Sequence, residues 1–178
     1  YTDWLLAGAS LSNGCTDCIG AYFLDSMVIT SPPPEDIRFT RLYSRPEECT
    51  SSEADELNYL NFDRELNTGH EIVFHIGHSS QYFIGTGFKC GGGGFFSSDF
   101  DTLTNSPFYP VLVSFSCTVN AVDFDCISEH WLFAPAGGGV AFIGNTRTAW
   151  THHKGTLERF YRMIARNRMS CLGDIMGG

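Results

Sequence analysis

Five short apolar runs, each bounded by turn-forming residues, constrain the fold more than any other feature of the sequence. They occupy residues 3–8, 37–42, 72–76, 111–115 and 140–143. Several of them carry apolar residues on both faces, which is typical of strands buried on both faces of a parallel sheet. Proline and glycine clusters between the runs indicate loops within one domain rather than boundaries between domains.

Three further segments show helical patterns. Residues 50–66 begin with the capping-box spacing of Thr50 and Glu53. Residues 122–134 stop just before Gly137, which suits a helix C-terminus. The third segment repeats apolar side chains at helical spacing, at Leu157, Phe160, Tyr161 and Ile164. Strands that alternate with helices predict an α/β fold with a mostly parallel sheet.

The length and charge of the chain exclude several classes of protein. Its 178 residues are about one domain's worth, and 43% of them are hydrophobic, which predicts a folded core. A net charge of −9 disfavours binding to nucleic acid or to an anionic membrane surface. The apolar runs are far shorter than the ~20 residues of a membrane-spanning helix. We expect one domain over residues 1–178 that is part of a longer chain.

The chain contains seven cysteines, an odd number, so at least one thiol has no disulfide partner within it. In an oxidising compartment this count allows three disulfides and one free cysteine. Cys15 and Cys18 have the spacing of half a zinc site, but no matching second pair follows at a suitable distance. Identifying the free cysteine is therefore central to the function.

Two of the apolar runs lead into residues that carry chemistry. His78 follows the run 72–76 after a glycine, and Cys117 follows the run 111–115 after a serine. In parallel sheets, functional residues gather beyond the carboxyl ends of the strands. If these strands are neighbours, imidazole and thiol come together, and a histidine can generate the thiolate that acts as a nucleophile.

Each of these residues also has a structural interpretation. A cysteine at the end of a buried strand is often an inert small hydrophobe, and a single histidine is often a satisfied polar group. His75 competes with His78 for the catalytic role. We favour His78, because His75 lies inside the strand whereas His78 lies beyond it, in a more open position.

Segments 69–80 and 116–150 resemble the gingipain-type cysteine peptidases, family C25 of the caspase-like clan. In that family one apolar strand ends in Gly-His-Gly, and a second ends in the nucleophilic cysteine. Here His78 and Cys117 stand in those positions. The resemblance implies a three-layer α/β/α sandwich that hydrolyses peptide bonds through an acyl-enzyme.

The same resemblance implies a role for each site residue. Cys117 is expected to be the nucleophile and His78 the general base and acid, with the backbone N–H groups of Ser79 and Cys117 forming the oxyanion hole. Asp36, in the segment 35–42, is the candidate acid that orients the histidine; its alternative role is that of a solvated surface acid. Ser79 replaces a family glycine and would be strained if that position needs a positive φ.

Substrate-binding residues are expected from the resemblance as well. Trp150, with Thr148 beside it, would line the pocket for the residue before the scissile bond; its alternative role is core packing. Glu47 and Glu48 follow the Asp36 strand and could supply the acid that, in gingipains, binds an Arg or Lys side chain just before the scissile bond. Acids near a helix N-terminus also complement its dipole. The expected partner is a protein or peptide substrate.

The chemistry requires no cofactor, but family members often bind structural calcium. Carboxylates in polar surroundings could hold it, at Asp17, Asp25, Asp99, Asp101 and Asp123. The resemblance favours a secreted or cell-surface protein. Three alternatives stay open: a catalytically silent scaffold in which Cys117 is buried or bridged, a sortase-like transpeptidase, and a metal-binding module built on Cys15 and Cys18.

Overall fold

A six-stranded parallel sheet organises the chain. The computed structural model describes residues 2–12, 14–87, 90–150, 155–166 and 171–177. The strands are β1 (Thr2–Gly8), β2 (Ile37–Tyr43), β3 (Asp55–Glu56), β4 (Ile72–Ile76), β5 (Ser79–Ser80), β6 (Phe83–Gly85), β7 (Gly94–Phe96), β8 (Val111–Phe115) and β9 (Ala141–Gly144). The large sheet has the order β3-β2-β1-β4-β8-β9, and all its pairings are parallel. All five predicted apolar strands are confirmed.

Helices cover both faces of this sheet. They are α1 (Ile19–Thr30), α2 (Pro46–Cys49), α3 (Tyr59–Thr68), α4 (Ser97–Phe100), α5 (Ile127–Phe133), α6 (Gly155–Ala165) and α7 (Leu172–Gly177). The core on one face includes side chains of α1 and α6, and the core on the other includes side chains of α3, α4 and α5. The predicted three-layer α/β/α arrangement is therefore confirmed.

The continuous apolar runs follow from these two cores. Leu5 and Leu6 are both fully buried, but successive strand residues point to opposite faces, so Leu5 joins one core and Leu6 the other. Burying a leucine completely stabilises the fold by about 1.5–3 kcal/mol. Each apolar run thus supplies both cores at once.

A small antiparallel sheet of β5, β6 and β7 was not predicted. It begins at Ser79, directly after His78, and pairs Ser79 with Ile84. Strands of two or three residues are too short to show an alternating pattern. This sheet turns the chain sharply at the end of β4.

Two of the predicted helix starts were wrong. Asn58 begins α3, because its side chain accepts a hydrogen bond from the N–H of Asn61 (2.9 Å). The hydroxyl of Thr50 instead donates to Asp25 (2.6 Å). The segment predicted over 122–134 becomes helical only at Ile127. The predicted helix around Leu157 is confirmed as α6.

The cysteines form two disulfides rather than three. Cys15 pairs with Cys90, and Cys18 pairs with Cys49. Three thiols are free: the half-buried Cys117, the buried Cys126 and the exposed Cys171. Cys117 is therefore available as a nucleophile, and the chain has fewer than the three disulfides that the cysteine count allows.

The disulfides also remove the two cysteines on which the zinc alternative rested. Among the residues that the structure describes, no three His, Cys, Asp or Glu side chains are grouped to hold a metal ion. No helix in the described part of the chain is both long and apolar enough to cross a lipid bilayer.

Candidate active site

His78 and Cys117 follow neighbouring parallel strands. In the register between β4 and β8, Ile76 lies opposite Phe115, and the N–H of Gly77 donates to the Phe115 carbonyl (3.4 Å). Continued two residues beyond that pair, the same register would place His78 opposite Cys117. We call this side of the sheet, where the strands end, the carboxyl edge.

Only glycine fits between the strand and His78. A Cβ atom at Gly77 would lie 2.8 Å from Nε2 of His75 and 3.1 Å from the Cβ of Ala9. The first contact is shorter than real Cβ atoms show, and the second is tight. A side chain at this position would therefore force the buried His75 ring to shift.

The Cys117 thiol lies against the chain that follows β9. Its Sγ accepts a hydrogen bond from the Ala149 N–H (3.4 Å) and lies 3.8 Å from the Ala149 carbonyl. The next residue, Thr118, has a φ of 53° and donates its N–H to the Arg147 carbonyl (3.1 Å). A positive φ is strained for a β-branched residue, and such strain clusters at functional sites.

Asn145 ties β9 to the cysteine segment. Its side-chain Nδ2 donates to the carbonyl of Ser116 (3.0 Å), the residue before the thiol. Its own carbonyl accepts from the N–H of Asn120 (3.2 Å). The thiol is thus held by bonds on both sides of it in the sequence.

His78 is oriented by a backbone carbonyl. Its Nε2 lies 3.0 Å from the carbonyl oxygen of Leu11, which can only accept a hydrogen bond. Nε2 therefore carries a proton, and in the neutral ring Nδ1 is the basic nitrogen. In the described part of the chain, no hydrogen bond joins the His78 ring to the Cys117 thiol. Catalytic hydrogen bonds are often loose before substrate binds.

The structure does not bring Asp36 to His78, so the predicted orienting acid was wrong. Asp36 precedes β2, and its carbonyl accepts from the Thr2 N–H at the start of β1 (3.0 Å). His78 follows the end of the parallel strand β4. The length of β1, 7 residues, or ~23 Å, separates the two edges of the sheet. The Leu11 carbonyl occupies the position expected for this acid.

Ser79 is unstrained, contrary to the concern that the sequence raised. Among the described residues other than glycine, only Cys15, Arg45 and Thr118 have a positive φ. The Ser79 hydroxyl donates to the carbonyl of Cys117 (2.5 Å). This bond links the histidine segment to the cysteine segment. The oxyanion hole of Ser79 and Cys117 stays a prediction.

His75, the alternative base, is a buried structural residue. Its Nε2 donates to the Gly85 carbonyl (3.2 Å), so Nδ1 accepts from the hydroxyl of Ser114 (2.9 Å). Ser114 in turn accepts from Ser116, 2.6 Å away. Complete burial lowers the pKa of His75 to about 4. This neutral ring supports the base of the site.

The predicted substrate-binding residues occupy different parts of the carboxyl edge. Thr148 and Trp150 are exposed and flank Ala149, whose backbone contacts the thiol. Glu47 is exposed in α2 and lines a separate cavity of about 590 Å³. The helix α2 follows β2, which lies three strand positions from β8, the strand that leads to Cys117. At ~4.8 Å per strand, about 14 Å of sheet separates β2 from β8. Their roles in substrate binding stay predictions.

The carboxylates expected to hold calcium already bind protein donors. Asp25 binds Arg41, Tyr43 and Thr50. The other four bind backbone or side-chain groups, with Ile19 at Asp17, Phe96 at Asp99, His130 at Asp101 and Arg147 at Asp123. Structural calcium at these residues stays a prediction.

Comparison with known proteins links this arrangement to a peptidase family. The sequence profile described as peptidase family C25 matches residues 5–177. An uncharacterized protein of Archaeoglobus fulgidus is 26% identical, over 67% of this chain and 31% of that protein.

Solved structures show the same fold. The Arg-specific cysteine proteinase gingipain R superimposes with a TM-score of 0.65 at 19% identity, over 93% of this chain and 37% of that one. A complex of the pro- and mature domains of Porphyromonas gingivalis RgpB gives 0.64 at 18% identity, with the same coverage. The chain thus spans about a third of the length of these proteins.

Proposed function

This chain belongs to peptidase family C25, and we propose that it is a cysteine peptidase that hydrolyses peptide bonds through Cys117 and His78. The observation that carries the proposal is that a histidine and a free thiol each follow the end of one of two adjacent parallel strands. A peptide or protein is then the substrate. The acid-rich net charge of −9 agrees with a partner other than nucleic acid.

The first half of the reaction forms an acyl-enzyme. Nδ1 of His78 accepts the thiol proton, and the Cys117 thiolate attacks the substrate carbonyl carbon. The resulting oxyanion accepts hydrogen bonds from the N–H groups of Ser79 and Cys117, a stabilisation worth about 2.7–4 kcal/mol per donor in other enzymes. As the C–N bond breaks, His78 returns the proton to the leaving amine.

The second half releases the acid product. His78 removes a proton from water, and the hydroxide attacks the thioester carbonyl. The C–S bond breaks, and the proton on His78 restores the thiol. An amine in place of water would give transpeptidation, which remains an alternative outcome of the assay below.

One further step precedes proton transfer. At rest the thiol hydrogen-bonds Ala149, and no hydrogen bond joins it to the His78 ring among the described residues, so the two side chains approach each other before the proton moves. The Leu11 carbonyl keeps the Nε2 proton in place and leaves Nδ1 as the base. This carbonyl performs the orienting role that we first assigned to an acidic side chain.

We place the substrate along the segment that contacts the thiol. Thr148 and Trp150 would bind the residue before the scissile bond. Glu47 would bind a basic side chain farther along the substrate, since about 14 Å of sheet lies between β2 and β8.

The proposed location is outside the reducing cytosol. Two disulfides, one closing Cys15 to Cys90 and the other Cys18 to Cys49, persist in oxidising compartments. A secreted or cell-surface peptidase would keep both of these disulfides intact.

Alkylation of the native, unreduced protein tests the dyad. In a Cys171→Ser background, which removes the exposed free thiol, we expect Cys117 to react at about pH 6, where an ordinary thiol is almost fully protonated. His78→Ala should abolish that reaction, and His130→Ala, at a histidine bound by Asp101 and Asp125, should not. Peptide-library cleavage should follow the same pattern.

An inert Cys117 in a folded protein would support the catalytically silent scaffold instead. Equal alkylation of the wild type and His78→Ala would also count against the dyad. Products extended by an added amine, in place of hydrolysed ones, would indicate the transpeptidase.

A further inference from the structure

The acceptor that orients His78 lies in the loop between β1 and α1, residues 9–18, which we call the β1–α1 loop. A backbone carbonyl cannot orient a ring unless the loop that carries it is held in place. The base of this loop is closed, because a Cβ atom at Gly20 would lie 2.3 Å from the Ala9 carbonyl. The question is what fixes the part of the loop around Leu11.

Asp17 supplies that constraint. Its Oδ1 accepts from the N–H of Leu11 (3.1 Å) and from the N–H of Ile19 (2.9 Å). Its Oδ2 accepts from the hydroxyl of Ser10 (3.1 Å) and from the N–H of Ser12. The carboxylate therefore binds three consecutive residues centred on the one whose carbonyl meets His78.

The charge state of Asp17 agrees with this role. Burial by itself would raise the pKa of the carboxyl group, but the hydrogen bonds from Ile19, Leu11 and Ser12 outweigh it and lower the pKa. The group is an anion that only accepts hydrogen bonds at neutral pH. An asparagine would keep one acceptor oxygen and aim an N–H₂ group at donors that the second oxygen now binds.

We propose that Asp17 is a positioning residue of the peptidase reaction. By binding the amides of Leu11 and Ser12, it holds the Leu11 carbonyl on Nε2 of His78, which fixes the tautomer whose Nδ1 accepts the thiol proton. This inference rests on the proposed function. It assigns Asp17 no contact with substrate.

A purely structural role for Asp17 makes a different prediction. The bond to Ile19 lies at the start of α1, so loss of Asp17 will also lower stability. Asp25 is a matched control, since it is a half-buried carboxylate of α1 with three donors, Arg41, Tyr43 and Thr50. Those donors belong to β2 and to the segment after α2, not to the β1–α1 loop.

Steady-state kinetics of Asp17→Asn and Asp25→Asn test the proposal. We expect kcat of Asp17→Asn to fall roughly 10-fold to 100-fold, the effect of a misplaced catalytic group, with KM changed less than about twofold. Asp25→Asn should lose stability yet keep kcat. An unchanged kcat in Asp17→Asn, or an equal loss of kcat in Asp25→Asn, would overturn the proposal.

A spectroscopic measurement separates this proposal from the proposed function. In a Cys117→Ala background, ¹⁵N shifts of the His78 ring should report the Nε2–H tautomer, and Asp17→Asn should mix the two tautomers. If the wild type cleaves no peptide, the proposed function fails, and the tautomer comparison still decides the role of Asp17. Identical ring spectra with and without Asp17 would refute positioning.

Discussion

At the candidate site, burial determines the charge of His75. Its ring lies fully buried under the edge that bears His78 and bonds both Ser114 and the Gly85 carbonyl. Burial lowers its pKa to about 4, against ~6.5 in an unfolded chain. The ring therefore stays neutral in the folded protein while the unfolded chain takes up a proton.

This difference predicts acid destabilisation. As pH falls from about 6.5 towards 4, only the unfolded state binds the extra proton, so the free energy of unfolding falls, by up to roughly 3 kcal/mol from this group alone. Above pH 6.5 the group makes no pH-dependent contribution. Urea unfolding at several pH values should show a shallower acid loss in His75→Gln than in the wild type.

His130 provides the opposite control for the same measurement. Burial disfavours its charged form, but hydrogen bonds and charges from Asp101 and Asp125 outweigh burial and raise its pKa. Its stabilisation is thus present at low pH and lost as pH rises through the raised pKa. His130→Gln should steepen the acid loss. A His75→Gln slope equal to that of the wild type would contradict the burial argument.

Sequence reasoning at the residue scale selects candidates by side-chain chemistry and cannot select a backbone group. Cys117 and His78 were chosen as candidates because a thiol and an imidazole follow two apolar runs. The Leu11 carbonyl was not, because every residue has a carbonyl and only the folded loop selects one. For the same reason Asp36 was chosen by a pattern of residue types and lies at the wrong edge of the sheet.

Among the elements, β9 matters for the site through the residue that follows it. Asn145 bonds the Ser116 carbonyl and the Asn120 N–H, so the end of β9 and the cysteine segment hold one another. This connection crosses between neighbouring strands β8 and β9. It restrains the thiol without touching it.

Removing the side-chain hydrogen bond from Asn145 to the Ser116 carbonyl should impair catalysis more than stability. In Asn145→Ala we expect kcat/KM to fall roughly tenfold, since a slightly misplaced nucleophile reacts slowly, and stability to fall by about 1 kcal/mol for one hydrogen bond. Peptide cleavage and urea unfolding measure the two effects.

Asn67→Ala is the matched control for this change. The Oδ1 of Asn67 accepts from the N–H of Thr104 (2.7 Å). Asn67 lies near the end of α3, just before β4 begins, and therefore at the edge of the sheet opposite the carboxyl edge. The Asn67 side chain also bonds the Thr104 hydroxyl and the Asp63 carbonyl. Asn67→Ala should therefore lose at least as much stability as Asn145→Ala and still keep full activity. Parallel losses of activity in both variants would show that Asn145 acts through stability alone.

The elements themselves were predictable where a periodic apolar pattern shows. The helix α1 was missed although it spans 12 residues, because apolar residues occupy both its buried and its exposed faces. The five apolar strands and α6 carry enough residues for a period to show. The short strands β5 to β7 do not. The helix that the sequence pattern starts at Thr50 begins at Asn58 instead, where the Asn58 side chain accepts from the Asn61 N–H. The Thr50 hydroxyl donates to Asp25, a tertiary contact that the local sequence does not reveal.

At the scale of the whole molecule, both disulfides converge on the β1–α1 loop. One joins Cys15 to Cys90, across a sequence separation of 75 residues, and the other joins Cys18 to Cys49, across 31. The Arg45 side chain adds a hydrogen bond to the Cys15 carbonyl (3.0 Å). The loop that carries the Leu11 carbonyl is thereby connected to α2 and to the turn before β7.

Cross-links across loops of these lengths should contribute much of the stability of the molecule. The chain-entropy estimate is about 4 kcal/mol for each, slightly more for the longer loop, against the 5–15 kcal/mol typical of a whole domain. We expect the double variants Cys15→Ser/Cys90→Ser and Cys18→Ser/Cys49→Ser to unfold at clearly lower urea concentrations than the wild type. Cys171→Ser, at an exposed free thiol, should unfold like the wild type, and disulfide variants as stable as that control would show that the cross-links constrain nothing.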